Sequence, residues 1–475
     1  MHRTLWSRLP AIGLFLLPGL LPAVAGEQSD KPGESKRLNV LMILSDDQRH
    51  DTIGALGNAV VKTPNLDRLV ERGFALRNNY VMGSMGGAVC VPSRAMLHSG
   101  RTLWRVEQNL ASCPLWGETM HKAGYATFGT GKWHNGQASF ARSFQAGKNV
   151  FFGGMSNHQS VPVQDLLPGG QFGDKRTGEK FSSELFADTA IEFLRGHKGP
   201  EPFFLYVAFT APHDPRTPPG EYATMYDPGQ MPLPKNFLPQ HPFDNGELKV
   251  RDEMLALHPR TPEVVRKHIA DYYGMISHMD AQIGRIFQAL EATGRAADTL
   301  VVFAGDNGLA VGQHGLFGKQ SLYEHSGRMP LAIAGPGIPK GQSDALVYLL
   351  DVFPSVCELT GIATPEGVEG RSLAPILRGT KQQVRDYVFT AYRQFQRAVR
   401  EPRWKLIEYR VAGVKTVQLF DLQNDPWEMK NLADDAACAE HRRRLEKLLE
   451  KARAEAGDPV DFEGKGEKKG DRRAY

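Results

Sequence analysis

The chain has 475 residues, 41% apolar and 23% charged, so it can bury a sizeable core and reads neither as a disordered chain nor as an integral membrane protein. Its formal charge of +4 suits an anionic substrate but falls far short of the basic excess of a nucleic-acid binder. Cys90, Cys113, Cys357 and Cys438 are widely spaced with no C-x-x-C pair, which excludes a disulfide scaffold and a zinc ribbon.

At the N-terminus, His2, Arg3 and Arg8 precede "AIGLFLLPGLLPAVA", and Ala23-Val24-Ala25 supplies a small-residue cleavage pattern. Residues 1–25 are therefore expected to be a signal peptide cleaved after Ala25. Pro18 and Pro22 and the short apolar run argue against a retained anchor, and no later segment is apolar and long enough to span a bilayer. The expectation is an exported protein, periplasmic or secreted. The lack of any N-x-[ST] site favours a bacterial source.

"RLNVLMIL", residues 37–44, reads as a strand buried on both faces, with Asp46 and Asp47 just past its end. Thr63 and Pro64 open a short helix, with Thr63 as its cap, and Gly73 closes it. "GAVCVPSRAM", residues 87–96, places Cys90 just ahead of a proline, a serine and Arg94; a half-cystine and a reactive group are both open on this stretch alone. "GTGKWHNG" brings Lys132 and His134, and "FFGGMSNHQ", residues 151–159, is a Gly-rich insertion suited to a substrate rim. "PFFLYVAF", residues 202–209, is a second buried strand, followed at once by His213 in "TAPHDP". Ile269, Tyr272, Ile276, Met279, Ile283, Ile286 and Leu290 recur at helical steps and predict a long helix packed on the sheet. "TLVVFAG", residues 299–305, is a third strand, ending at Asp306 and Asn307, and "GQHGLFGKQSLYEH" supplies His314, Lys319 and His325.

Alternating strands and helices predict an α/β fold with a large, mostly parallel central sheet between helices, whose ligands sit at the carboxyl ends of the strands. After residues 368–379 the pattern changes to "DYVFTAY", "RWKLIEY" and "TVQLFDL" and then a charged helix. This predicts a catalytic domain over 38–380, a smaller antiparallel sheet plus helix over 385–457, and a charged, disordered tail over 458–475.

Asp46, Asp47, Asp306 and Asn307 form an all-oxygen set of the kind that holds calcium or magnesium, although each alone could be a solvated or capping residue. Lys132, His134, His213, His314, Lys319 and His325, all in Gly- or Pro-rich loops, suggest a pocket for a tetrahedral oxyanion beside that metal.

"CVPSRAMLHSGR", residues 90–101, resembles the C-x-P-S-R signature of the type I sulfatases, a family of the alkaline phosphatase superfamily, and the resemblance runs from Asn39 through residues 419–433. It implies that Cys90 is oxidised by a formylglycine-generating enzyme before folding, and that the hydrated aldehyde is the nucleophile. It further implies that Asp46, Asp47, Asp306, Asn307 and the modified Cys90 hold one calcium ion. Arg94 would position nucleophile and carboxylates, and Lys132 would bridge nucleophile and sulfate. His134 would be the base, and His213 and Lys319 would bind sulfate and protonate the leaving oxygen. The residue before Asp306 is Gly305 where many relatives have serine, and His98 stands where an apolar residue is more usual.

The loops most resemble those of bacterial enzymes acting on sulfated carbohydrates, glycosaminoglycan or algal-type. Arg216, Arg393 and Arg397 are candidates for contacts to such a substrate, against the reading that they are ordinary surface charges, and His325 is a further candidate. The alternatives are a broad arylsulfatase, a phosphate or phosphonate monoester hydrolase of the same superfamily, an inactive glycan-binding relative, and a hydrolase using the Cys90 thiol directly.

Overall fold

The computed structural model describes residues 37–460 and residue 462; the expected signal peptide and most of the expected tail lie outside the described residues. The first apolar run forms β1 (Asn39–Ser45), buried throughout. Val40, Met42 and Leu44 join Trp116 and Phe353 in one cluster, while Leu41 and Ile43 join Met279 and Ile283 in another. The period-two alternation of side chains thus gives both faces of the sheet an apolar cover.

The large sheet continues in chain order with β2 (Phe74–Tyr80), β3 (Ala126–Lys132), β4 (Ala146–Phe151), β5 (Pro162–Leu166), β6 (Phe203–Ala208), β7 (Thr299–Gly305), β8 (Leu331–Ala334) and β9 (Gly341–Tyr348). Strands β7, β1, β6, β3 and β4 lie side by side and parallel. Antiparallel pairing begins at the margins, where β5 joins β4, and β8 joins both β7 and β2.

Helix α1 (Pro64–Arg72) departs from its sequence reading at the cap. The Thr63 hydroxyl donates to Asp67 and accepts from the Gly54 amide instead of capping the helix. The first-turn amides of Asn65 and Leu66 instead donate to Asp280, so a carboxylate distant in sequence fills the capping role. Helices α2 (Cys90–Ser99), α3 (Ser182–Gly196) and α4 (Pro262–Ala292) follow. All seven apolar positions predicted for the long helix are buried in α4, whose Thr261 cap accepts from the Val264 amide.

The second sheet contains β10 (Val388–Tyr392), β11 (Gln396–Arg400), β12 (Trp404–Val411) and β13 (Val414–Asp421), antiparallel in sequence order. Gly83–Ser84 adds a parallel edge to β10, an addition the sequence did not announce. Gly83 has φ +109°, and a Cβ there would lie 1.8 Å from the Ala391 carbonyl oxygen, so glycine alone permits this approach. The edge ties the small sheet to the segment leading into Cys90. Helix α5 (Ala439–Ala456) covers this sheet with Leu445, Leu449 and Ala452. Asp458, at the start of the expected tail, is not loose: its carboxylate pairs with Arg397 at 2.6 Å and Arg453 at 3.0 Å.

Candidate active site

The parallel register sets Ser45 of β1 opposite Gly305 of β7, so Asp46-Asp47 and Asp306-Asn307 leave adjacent strand ends together. Asp47 has φ +64°, a left-handed conformation that turns the chain sharply. Its amide donates to Asp306 Oδ1 at 3.0 Å, and Asn307 Nδ2 donates to Asp47 Oδ1 at 2.6 Å. Tyr272 of α4 donates its hydroxyl to the Asp47 carbonyl at 2.7 Å, anchoring the turn to the helix layer.

Lys132 ends β3 and is fully buried; its Nζ donates to Asp46 Oδ2 at 2.5 Å and to the Gly154 carbonyl at 2.6 Å. Cys90 opens α2, and its Sγ lies 3.4 Å from His134 Nδ1 and 3.7 Å from Lys132 Nζ. One turn further, Arg94 reaches Asp306 Oδ2 through Nε at 3.0 Å and the Lys132 carbonyl through Nη1 at 2.6 Å, with Nη2 3.8 Å from Asp46. The i, i+4 spacing of Cys90 and Arg94 places both on one helix face.

Lys319 donates to both carboxylate oxygens of Asp47, at 2.8 and 2.9 Å. His213 Nε2 is 3.5 Å from Asp47 Oδ2, and its Nδ1 is 2.8 Å from the Asp214 carbonyl, which fixes the ring.

Burial acts against the Asp46 charge, but Lys132, His213, Arg94 and Lys319 outweigh it and hold that carboxyl well below the usual range. Burial, followed by the Asp46 charge, pushes Asp306 up to about 7 despite Arg94. Burial, with Lys132 and Arg94, pushes His134 down to about 2, so its imidazole is neutral beside the Cys90 sulfur. Burial also raises the Cys90 thiol.

Asp46 Oδ1 and Asn307 Oδ1 are buried without a hydrogen-bond partner. Ligand atoms of Asp46, Cys90 and Asp306 lie within 4.8 Å of one another, as do those of Asp46, Asp47 and His213. Unpartnered oxygens among three carboxylates fit a hard cation.

The sulfatase family model matches residues 38–362. The chain belongs to the sulfatase family. A second family model, N-sulphoglucosamine sulphohydrolase C-terminal, matches residues 312–455 of this sulfatase. The chain is 27% identical over 461 residues to an arylsulfatase of Clostridium perfringens, covering 86% of this chain and 93% of that one. It is 24% identical over 520 residues to an N-acetylglucosamine-6-O-sulfatase of Bacteroides thetaiotaomicron, covering 93% and 91%. Among solved structures, one in complex with its substrate D-glucosamine-2-N,6-O-disulfate superposes with TM-score 0.76 at 22% identity, covering 91% of this chain and all of that one. A phosphonate monoester hydrolase of Agrobacterium radiobacter gives 0.70 at 23% identity, over 88% and 96%. This sulfatase is a sulfuric ester hydrolase with the alkaline phosphatase fold.

The four outer candidates fare differently. Arg393 has its Nε 2.9 Å from Glu247, and its Nη2 lies 3.1 Å from where a Cβ on Gly87 would be, so it borders the loop leading into Cys90. Arg216 is buried over the Tyr272 ring, with Nη1 3.3 Å from His268 Nδ1 and its Nε and Nη2 unpartnered. His325 is buried in a ring stack with Tyr323 and His314, and burial pushes it well below the usual histidine range. Arg397 is corrected: it is 0% exposed, and Asp458 together with the Arg393 and Gln396 carbonyls occupies its guanidinium, so it is a structural group of the small sheet.

Sequence reasoning missed His158. Its Nε2 is 3.0 Å from the His213 carbonyl and its Nδ1 2.8 Å from Ser182 Oγ, tying the Gly-rich insertion to the His213 loop and α3. The only available signal was a histidine in "FFGGMSNHQ". Gln320 was also missed; it donates to the Gly87 carbonyl at 3.1 Å.

Proposed function

We propose that this sulfatase releases inorganic sulfate from a sulfated carbohydrate, with Cys90, converted to formylglycine by a maturation enzyme, as its nucleophile. The observation that carries the reading is the position of Cys90 at the start of α2, between neutral His134 and cationic Lys132 and beside the carboxylate cluster. A hydrated aldehyde at residue 90 supplies two hydroxyls on one carbon, one to attack sulfur and one whose deprotonation releases sulfate without hydrolysis of a second ester.

His134 is placed to take the proton from residue 90. Lys132 and Lys319 present fixed ammonium groups toward an incoming sulfate, and their pairing with Asp46 and Asp47 holds them in place before substrate arrives. The His213 ring is held through Nδ1 by the Asp214 carbonyl, and its Nε2, 3.5 Å from Asp47, faces the cluster from which a proton would pass to the leaving oxygen. Arg94 keeps Asp306 and the Lys132 backbone in register with α2. Asp46, Asp47, Asp306, Asn307 and residue 90 would hold one calcium ion, which when bound offsets the carboxylate charge and acidifies the attacking hydroxyl.

The carbohydrate assignment is supported by the N-acetylglucosamine-6-O-sulfatase relative and by the superposed structure with its sulfated glucosamine. Arg216 and Arg393 are the side chains proposed to meet further anionic groups of the substrate. Export to the periplasm or medium fits this role. The test is turnover of the matured enzyme on N-acetylglucosamine 6-sulfate, other sulfated sugars, an aryl sulfate and an aryl phosphate. Sulfate release from a sugar above the aryl rates supports the reading; preference for the aryl phosphate would replace it with a phosphate or phosphonate monoester hydrolase.

A further inference from the structure

The segment that carries Asp46 and Asp47 continues into Arg49, His50 and Asp51, which line a cavity of about 480 Å³ together with Tyr273, Arg328 and Trp427. This volume lies in the range of small-molecule sites, roughly 300–1,000 Å³. None of the metal-side or nucleophile-side residues described above lines it.

The charges of its wall do not balance. Arg49, Arg77, Lys235 and Arg328 line it against Asp51 as the sole acid. Asp51 accepts from Arg49 Nε at 2.7 Å, leaving Arg49 Nη1 buried and unpartnered on a side chain only 3% exposed. His50 Nδ1 is likewise buried without a partner. Arg77 and Arg328 meet Asp344 and Glu324, both outside the lining. Lys235 is exposed and lies over the half-buried Trp427 ring at 5.7 Å. Buried donors without acceptors are costly, and an anion in a cationic cavity would satisfy them.

We propose that this cavity is a second, non-catalytic binding site for an anionic saccharide, whose sulfate or carboxylate is taken by Arg49 and His50 and whose ring packs on Trp427 and Tyr273. The anion part rests on the charges of the cavity alone; the saccharide part rests on the carbohydrate reading above. An aromatic face beside cations suits a sugar that is apolar on one side and charged at its edge.

The test is calorimetric titration of the full chain carrying Cys90→Ala, which prevents turnover, with N-acetylglucosamine 6-sulfate, neutral N-acetylglucosamine and inorganic sulfate in turn. The sugar sulfate is expected to give a second binding event per chain. Lys235→Glu with Trp427→Ala should weaken that event by about tenfold or more. The same pair of substitutions in the matured enzyme should leave hydrolysis of a small aryl sulfate unchanged. A single event insensitive to the paired substitutions, or equal affinity for the neutral sugar, overturns the proposal. A second event with inorganic sulfate but none with the sugar sulfate overturns its saccharide part and leaves the anion part standing. A second event with the sugar sulfate, in a matured enzyme that does not hydrolyse that sugar, supports the site while the carbohydrate reading of the catalytic centre fails.

Discussion

Arg94 and Arg397 are both fully buried arginines paired to carboxylates, yet the structure gives them different work, and replacing each by methionine separates the two roles. Arg94→Met strips Asp306 of contacts at 2.9 and 3.0 Å, removes a cation 3.8 Å from Asp46, and leaves the Lys132 carbonyl without its donor. Removing one partner of a buried ion pair costs about 3–5 kcal/mol, because the other charge stays buried. Methionine replaces much of the arginine stem, so little cavity cost adds to this. A bound cation would share the Asp306 charge, placing the loss near the lower end with calcium present and near the upper end under chelation. Arg397→Met breaks the pair with Asp458, whose side chain is equally buried, but Arg453 still holds that carboxylate at 3.0 Å, so the stability loss should be smaller than for Arg94→Met. Urea unfolding and aryl sulfate kinetics on the folded fraction distinguish the two. Arg94→Met should lose both stability and activity, and Arg397→Met stability alone. An Arg94→Met enzyme of wild-type stability and rate, or an Arg397→Met enzyme that is inactive while fully stable, would refute the assignment.

Further outcomes follow from the geometry. Gly154→Ala would place a methyl carbon 2.9 Å from His134 Nε2, so it should lower kcat with little change in unfolding midpoint, and an unchanged kcat would show that the base is elsewhere. His134→Gln in the matured enzyme should reduce kcat by about 10²- to 10⁴-fold, the range for loss of a positioned general base, read in steady-state sulfate release. His158→Ala removes contacts to the His213 carbonyl and to Ser182; it should slow leaving-group departure, so substrates with poor leaving groups lose more kcat than activated aryl sulfates, a pattern a purely structural role would not produce. Chelation should lower the melting temperature and abolish activity together, both restored by calcium; Asp47→Asn should already show the lowered melting temperature and respond little to chelator.

Much of the fold was legible because its strands are short apolar runs that stop abruptly at polar residues. "RLNVLMIL", "PFFLYVAF" and "TLVVFAG" became β1, β6 and β7, and the acids past their ends meet because parallel neighbours finish on the same edge of the sheet. Local pattern misled where a distant group intervened. Thr63 looked like a helix cap, but Asp280, more than 200 positions away, took the amides of α1 and freed the hydroxyl for Asp67. Arg397 was expected to meet substrate or solvent because nothing near it in sequence neutralises it; its partner Asp458 lies 61 positions on, in a segment whose composition reads as disordered. His158 escaped because a lone histidine in a Gly-rich stretch carries no spacing signal, and its importance comes only from the fold bringing the His213 carbonyl to it. The cavity behind Arg49 escaped for the same reason, since its cations come from four separate segments.

The central claim is that Cys90 is not a thiol in the working enzyme, and mass spectrometry of the tryptic peptide spanning residues 78–94, from active protein made with a formylglycine-generating enzyme, tests it most directly. The account predicts the mass change of one oxygen replacing a sulfur and two hydrogens at residue 90, in a fraction that tracks specific activity across preparations. Full activity in a preparation whose residue 90 is entirely cysteine would contradict it.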